Sequence, residues 1–414
     1  MAGSSQKRTA ASDRAALLFI KSQIFCVVFL QKFAIHAGTS DIQLVLITLL
    51  VGLAALAVFD RIFIDGLRLG LFALFAACAV LAHLVGGRAF SAPSLILLLI
   101  MYPLLALYRP VGAQTQLQAI KFYQSCMIVI GLITIALQGV QYTIGAGYWP
   151  NLGNIASSAI LMRGYNYFQP LSYGSAFYKP NAFFMLEVSF IQQFTAIALV
   201  LELAYFRRPL ALLLFLVVIF ITFAGSGLLI LLFAIPGILI ALRARSAIVA
   251  VVVAAAGALL LVQLGWFGQI SGRLTEFTTA NTSGYFRFTL PVIIFIQNLG
   301  NPEFLVTGLG AGATPEGTAF LLLPFSKMML EYGFLSTLSF YTFLGVCLFR
   351  KAPNYLAAYV VFLQYNLGGG TLAVPMYVVL FFTLCTFFRP DRRAVLKLLE
   401  ADRRRFRGVR AMLA

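Results

Sequence analysis

Ser283-Gly284-Tyr285-Phe286-Arg287 opens a stretch that runs through Pro291-Val292-Ile293-Ile294-Phe295-Ile296 and closes on Gly308-Leu309-Gly310-Ala311-Gly312. It is the centre of Gln269–Lys327, the longest part of the chain that does not read as a membrane span. The segment carries Arg273, Glu276, Arg287, Glu303, Glu316 and Lys327. Long hydrophobic runs flank it on both sides. A polar segment of this size between apolar runs is where chemistry is expected, and the rest of the chain is read outward from it.

The chain has 61% hydrophobic and 10% charged residues, with a mean hydropathy of +0.94. A soluble protein of 414 residues has no interior large enough for that much apolar surface, so the fold class is an all-α polytopic membrane protein. The formal charge of +17 does not point to nucleic acid. Most cations fall in short connections between apolar runs and in the C-terminal tail, the pattern of inner-side loops against anionic lipid. The five cysteines lie inside apolar runs and give neither a disulfide framework nor metal-ligand spacing.

After a polar N-terminus at 1–15, about twelve spans are expected at 16–36, 41–59, 66–86, 92–108, 120–143, 183–206, 209–224, 226–242, 247–266, 327–349, 353–367 and 372–388. The short pairs 209–224 with 226–242 and 353–367 with 372–388 are joined by the small-residue turns Ala224-Gly225-Ser226-Gly227 and Gly368-Gly369-Gly370-Thr371. Together 16–388 make one transmembrane domain. Two long, partly helical outer loops are expected at about 144–182 and 267–326. Tyr285–Leu299 reads as an apolar helix along the interface. The tail 389–414 alternates Val395, Leu399 and Phe406 with arginines at helical spacing, a basic amphipathic helix for the inner leaflet.

With both termini inside, the outer side receives only Arg88, Arg163, Lys179, Arg273, Arg287 and Lys327. Topology does not explain these cations, so each is informative. No P-loop, dinucleotide fingerprint, zinc-binding His pair or Asp-x-Asp pair is present, and no cofactor or metal is expected. What remains is arginine, whose planar guanidinium holds phosphate oxygens bidentately. Arg163, Arg273 and Arg287 beside apolar surface suit a pyrophosphate at a membrane. Glu187, one turn into the expected sixth span, is costly there unless paired or hydrated, which makes it a functional candidate. Glu331 stands one turn into the tenth in the same way.

At Lys179-Pro180-Asn181 leading to Glu187-Val188-Ser189, at Ser283…Arg287, at Gly308-Leu309-Gly310-x-Gly312 and at Leu330-Glu331-Tyr332-Gly333-Phe334, the chain resembles the bacterial O-antigen polymerase and O-antigen ligase superfamily. The resemblance covers roughly Arg163–Gly345. It implies a bacterial inner-membrane glycosyltransferase with its site on the outer side and two lipid-linked substrates. Donor and acceptor would both be oligosaccharides on polyprenyl pyrophosphate. A chain-length regulator protein is a possible partner on the same ground. The family's loop arginines imply pyrophosphate binding by Arg287 first, then Arg273 and Arg163. Lys179 stands where many relatives carry Arg. Ser283, Tyr285 and Gly310 fall in the matching motifs and are implied in substrate contact. Ligases of this superfamily carry a His between the Gly-rich motif and Glu-x-Gly; Thr314–Leu330 contains none, which favours the polymerase branch.

The expected reaction joins lipid-linked repeats into exopolysaccharide, capsule or O-antigen. Arg287 and Arg273 stabilise the departing pyrophosphate, and Glu316 or Glu276 is the nearest outer acid in sequence to serve as a base. A ligase passing glycan to another acceptor, or a transporter for lipid-linked glycan, are the alternatives. Internal repeats and midplane charges, which mark many transporters, are not evident.

Overall fold

The computed structural model describes all residues except 1, 38–39, 60, 88–89, 149, 151, 153–154, 166, 172–174, 242–276, 281, 315–321, 392, 396, 400 and 402–414, together with the backbone alone at 2–12, 37, 40 and 241. The expected ninth span, Arg273, Glu276, Glu316 and most of the tail lie outside the described residues.

The described chain is mostly helical. Four helical stretches are long and apolar enough to cross a membrane: Gly66–Gly86, Ala113–Ile144, Val188–Phe206 and Pro324–Phe349. Five shorter apolar ones accompany them, at Leu44–Phe59, Ala92–Ala106, Pro209–Ile221, Ser226–Ile240 and Pro375–Thr386.

Several boundaries differ from those expected. Helix α1 is Ala2–Phe29, so it starts within the polar N-terminus and stops before Lys32. Strands β1 (Ala34–Ala37) and β2 (Ser40–Gln43) then form an antiparallel hairpin that leads into α2 (Leu44–Phe59). Helix α3 is Gly66–Gly86 and starts on Asp65, whose carboxylate accepts from the Leu67 and Arg68 amides. Helix α4 (Ala92–Met101) tightens into a 3-10 turn over Tyr102–Ala106, and the chain becomes strand before the expected end at 108. Helix α5 is Ala113–Ile144.

Helix α6 (Val188–Leu201), with a π turn to Phe206, is nearly all buried and forms the axis of the bundle. It is ringed by α5, α7 (Pro209–Ile221), α8 (Ser226–Ala241) and the later helix Tyr355–Leu367, so its polar Gln192, Gln193 and Thr195 are buried along with its apolar residues. It begins at Val188 and not at 183, because Ala182 and Phe183 take left-handed backbone angles, φ 53° and 66°. Glu187 therefore stands at its N-cap, not one turn inside it.

A π turn over Tyr285–Thr289 runs into α9 (Leu290–Asn298), followed by α10 (Pro302–Thr307). Helix α11 (Pro324–Phe349) packs along α3, whose buried face is Arg68, Phe72, Phe75, Ala79, Ala82 and His83. That spacing is one helical stripe. Helices α12 (Tyr355–Leu367) and α13 (Pro375–Phe381) complete the bundle, with a π turn to Thr386.

At one end of the bundle β3 (Phe63–Ile64), β4 (Leu107–Pro110) and β5 (Phe388–Arg389) form a small mixed sheet. Asp65 ties this end together, with Arg389 at 2.7 Å and Arg350 at 3.8 Å. The buried Arg68 guanidinium donates to the carbonyls of Leu105, Thr386 and Cys347. The pocket described below lies at the other end.

Candidate functional site

The cleft forms where α6 begins. Its walls are Gln169, Lys179, Glu187, Ser189, Ala224, Gly225, Ser226, Ser283 and Arg287, and its volume is about 220 Å³. Lys179 is presented by a tight return of the chain. Leu171 donates to the Phe177 carbonyl, and Lys179 donates from its backbone to Gln169, both at 2.8 Å. Gln141 of α5 fixes the same segment, accepting from the Tyr178 amide at 2.8 Å and donating to its carbonyl at 2.9 Å. Glu187 occupies the N-cap position of α6 without a side-chain capping bond, and the Ser189 hydroxyl lies 3.5 Å from its Oε2.

A second wall is the turn between α7 and α8. The Gln192 side chain, wholly buried, donates to the carbonyls of Ile219 and Ala224 and accepts from the Gly227 amide at 2.7 Å. Ser226 Oγ donates to the Ser189 carbonyl at 3.1 Å. Gly227 allows this contact: a Cβ there would stand 2.5 Å from the Gln192 carbonyl oxygen. The third wall is the Ser283–Arg287 stretch. Tyr377, at the start of α13, lies within electrostatic reach of both Arg287 and Glu187, and its hydroxyl donates to Gln193 Oε1 at 3.0 Å.

The pocket thus combines a lysine, an arginine, a carboxylate and three serines with the N-termini of α6 and α8. Backbone N–H groups at a helix N-terminus favour anions, and Lys and Arg add full charges. Among the described residues no group of three or more His, Cys, Asp and Glu side chains is placed to hold a metal ion.

No family model, curated protein or solved structure matches the chain. The site therefore stands on its own geometry.

Lys179, Glu187, Ser283 and Arg287, which the sequence proposes from two distant segments, line this one pocket. Tyr285 is half-buried in the adjoining π turn, its ring packed on Phe286. Arg163 and Gly310 fall elsewhere. Arg163 grips Asp41 of the β1–β2 hairpin, with Nε at 2.8 Å and Nη2 at 2.5 Å from Oδ1. His36 Nδ1 faces the same oxygen at 2.7 Å, and its Nε2 faces the Ser158 carbonyl at 3.1 Å. Burial alone would raise the Asp41 carboxyl, but the hydrogen bonds from Arg163 and His36 outweigh it and hold the group below its ordinary value. This cluster staples the first long loop to the hairpin.

Gly310 lies in a joint between α3 and α11. The Leu309 and Gly310 amides donate to the carbonyls of Leu330 and Glu331 at 2.7 and 3.1 Å, and the Ala311 amide donates to His83 Nε2 at 2.8 Å. His83 Nδ1 then donates to the Ala79 carbonyl. Gly308 and Gly333, at φ 73° and 75°, pack backbone to backbone. A Cβ on Gly308 would stand 2.6 Å from the Glu331 carbonyl carbon. The two glycine motifs are one interlocked structure. Glu331 belongs to it, its Oε1 accepting from the Thr314 hydroxyl at 2.7 Å with Lys327 at 3.8 Å.

Sequence reasoning did not name Gln192, did not single out Ser189 from its motif, and read the Ala224–Gly227 turn only as a join, not as a wall of the pocket. The signals were present: a Gln192-Gln193 pair in an apolar run, and a turn of small residues. For Gln169 the sequence carries no such signal.

Proposed function

We propose that this chain is a membrane glycosyltransferase that polymerises oligosaccharide repeats carried on polyprenyl pyrophosphate. The observation that carries the reading is the convergence of Arg287 and Lys179 with two helix N-termini in one pocket that also holds a carboxylate. Cationic and backbone donors suit a pyrophosphate, and a nearby acid suits the hydroxyl that attacks.

In this reading the donor glycan enters with its pyrophosphate on Arg287, Lys179 and the N–H groups at the starts of α6 and α8. A hydroxyl of the acceptor's terminal sugar attacks the anomeric carbon, and the bond from that carbon to the pyrophosphate oxygen breaks. The hydroxyl proton passes to Glu187, the acid that lines the pocket. The polyprenyl pyrophosphate leaves with the bonding electron pair, and the cations stabilise the charge that grows on it. By sequence alone, Arg273 is proposed as a further cation and Glu316 as the alternative base.

The two histidines support a polymerase over a His-dependent ligase. His36 is engaged by Asp41 and Ser158, His83 by Ala79 and Ala311, and neither lines the pocket. The topology proposed with this function is the full set of about twelve spans in a bacterial inner membrane, both termini inside and the pocket outside.

The test is Arg287→Ala in the producing cell. Polymer should vanish while protein level and single lipid-linked repeats stay normal. Normal polymer from that variant would sink the assignment, and glycan moved to a new acceptor by the native protein would favour the ligase.

A further inference from the structure

Between Lys179 and Glu187 the backbone makes an unusual turn. Ala182 and Phe183 are consecutive left-handed residues, φ 53° and 66°, and neither is glycine. Such a conformation is disfavoured for a residue with a Cβ and persists only where surrounding structure imposes it. The restraint comes from the turn after α1. The buried Lys32 ammonium donates to the Phe183 carbonyl at 2.6 Å, over the ring faces of Tyr167 and Phe183. Gln31 Oε1 accepts from the Leu186 amide at 3.4 Å, and Asn181 bridges the Phe183 amide and the Tyr167 carbonyl. The Lys32 carbonyl also accepts from the Met162 amide at 2.8 Å.

We propose that Lys32, in the turn after α1, is a positioning residue that holds the left-handed Ala182–Phe183 turn and so sets where Lys179 and Glu187 stand in the pocket. This rests on the pocket being the pyrophosphate site, and the test separates the two. A lysine buried for packing alone is a poor choice, since burying its ammonium costs desolvation and an apolar side chain of that length would carry no such cost. A donor aimed at the carbonyl of a left-handed, non-glycine residue has a local purpose. The ends of the turn are the pocket's lysine and its carboxylate, three residues before Ala182 and four after Phe183.

The experiment compares the native full-length chain, Lys32→Met and Lys32→Arg in lipid nanodiscs. Amide hydrogen exchange reads the turn itself, and inorganic pyrophosphate, titrated calorimetrically, reads the pocket. Lys32→Met should speed exchange at residues 183–186 by about tenfold or more and weaken pyrophosphate binding about tenfold, with the melting temperature held or raised. Lys32→Arg should restore both. Unchanged exchange at 183–186 in Lys32→Met overturns the proposal. So does acceleration spread equally over α1 and α6 with a lower melting temperature, or loss of folded protein in both Lys32→Met and Lys32→Gln, because each makes the lysine merely structural. Native protein that ignores pyrophosphate sinks the pocket reading instead, and exchange at the turn still decides the role of Lys32.

Discussion

Gln192 spends its whole amide on one turn. Its two N–H groups and its oxygen hold the end of α7 and the start of α8, where Ala224, Gly225 and Ser226 face Arg287 across the pocket. Gln192→Leu leaves buried backbone groups unmatched and should destabilise the fold by about 2 kcal/mol, read as a lower melting temperature in nanodiscs. An unchanged melt would mean that the turn holds itself. Asp41 acts at the same scale but through charge. Its folded carboxyl lies below the ordinary 3.8, so its staple to Arg163 and His36 is intact above that pH and fails as pH falls through the lower folded value. Arg163 is half exposed, so screening limits the pair to about 1 kcal/mol. Exchange at residues 158–163 should rise in acid below pH 3.8 in the native chain, and Asp41→Asn should show the raised exchange at neutral pH already. Arg163→Ala should leave polymer synthesis intact where Arg287→Ala abolishes it; equal losses would place Arg163 in the reaction.

The joint of α3, α10 and α11 shows what sequence reading reaches at the element scale and where it stops. The glycine motifs at 308–312 and 331–333 are plain in the sequence, and hydropathy locates the helices on either side. The reason for the glycines is not visible, because their partners are backbone atoms and His83 lies more than two hundred residues earlier. The same limit applies to the end of α1 and the start of α6. Lys32 and Phe183 meet through the fold, and no local pattern predicts left-handed angles at Ala182 and Phe183. The pocket residues were legible as outer cations and an isolated acid, whereas the α7–α8 turn that completes the pocket read only as a join. Gly333→Ala forces a Cβ onto the Val306 carbonyl at a positive φ, and should cost more than about 2 kcal/mol. Purified yield and melting temperature should both fall. A well-folded Gly333→Ala chain would show that the kink in α11 relaxes freely.

Across the whole molecule, charge follows the axis of the bundle. Arg350 and Arg389 pair with Asp65 at one end, where the Arg68 guanidinium donates to three carbonyls, with Arg208 on Glu202 at the close of α6. Lys179 and Arg287 stand with Glu187 at the other. Helices α7 and α8 carry Leu210, Leu213, Leu232 and Ile240 on exposed faces, as lipid-facing helices do. The proposed topology turns the Asp65 end to the cytoplasm and the pocket to the outer side. Cysteine labelling reads this directly, since the native cysteines lie in helices or π turns and four of the five are buried. Ile155→Cys, exposed in the first long loop, should react with an impermeant maleimide on cells whose outer membrane alone is permeable. Lys351→Cys, beside the Asp65 cluster, should react only after the inner membrane is opened. Labelling of both from one side would break the proposed span count. The reverse pattern would keep the bundle but turn the pocket to the cytoplasm, which would overturn the proposed outer-face reaction.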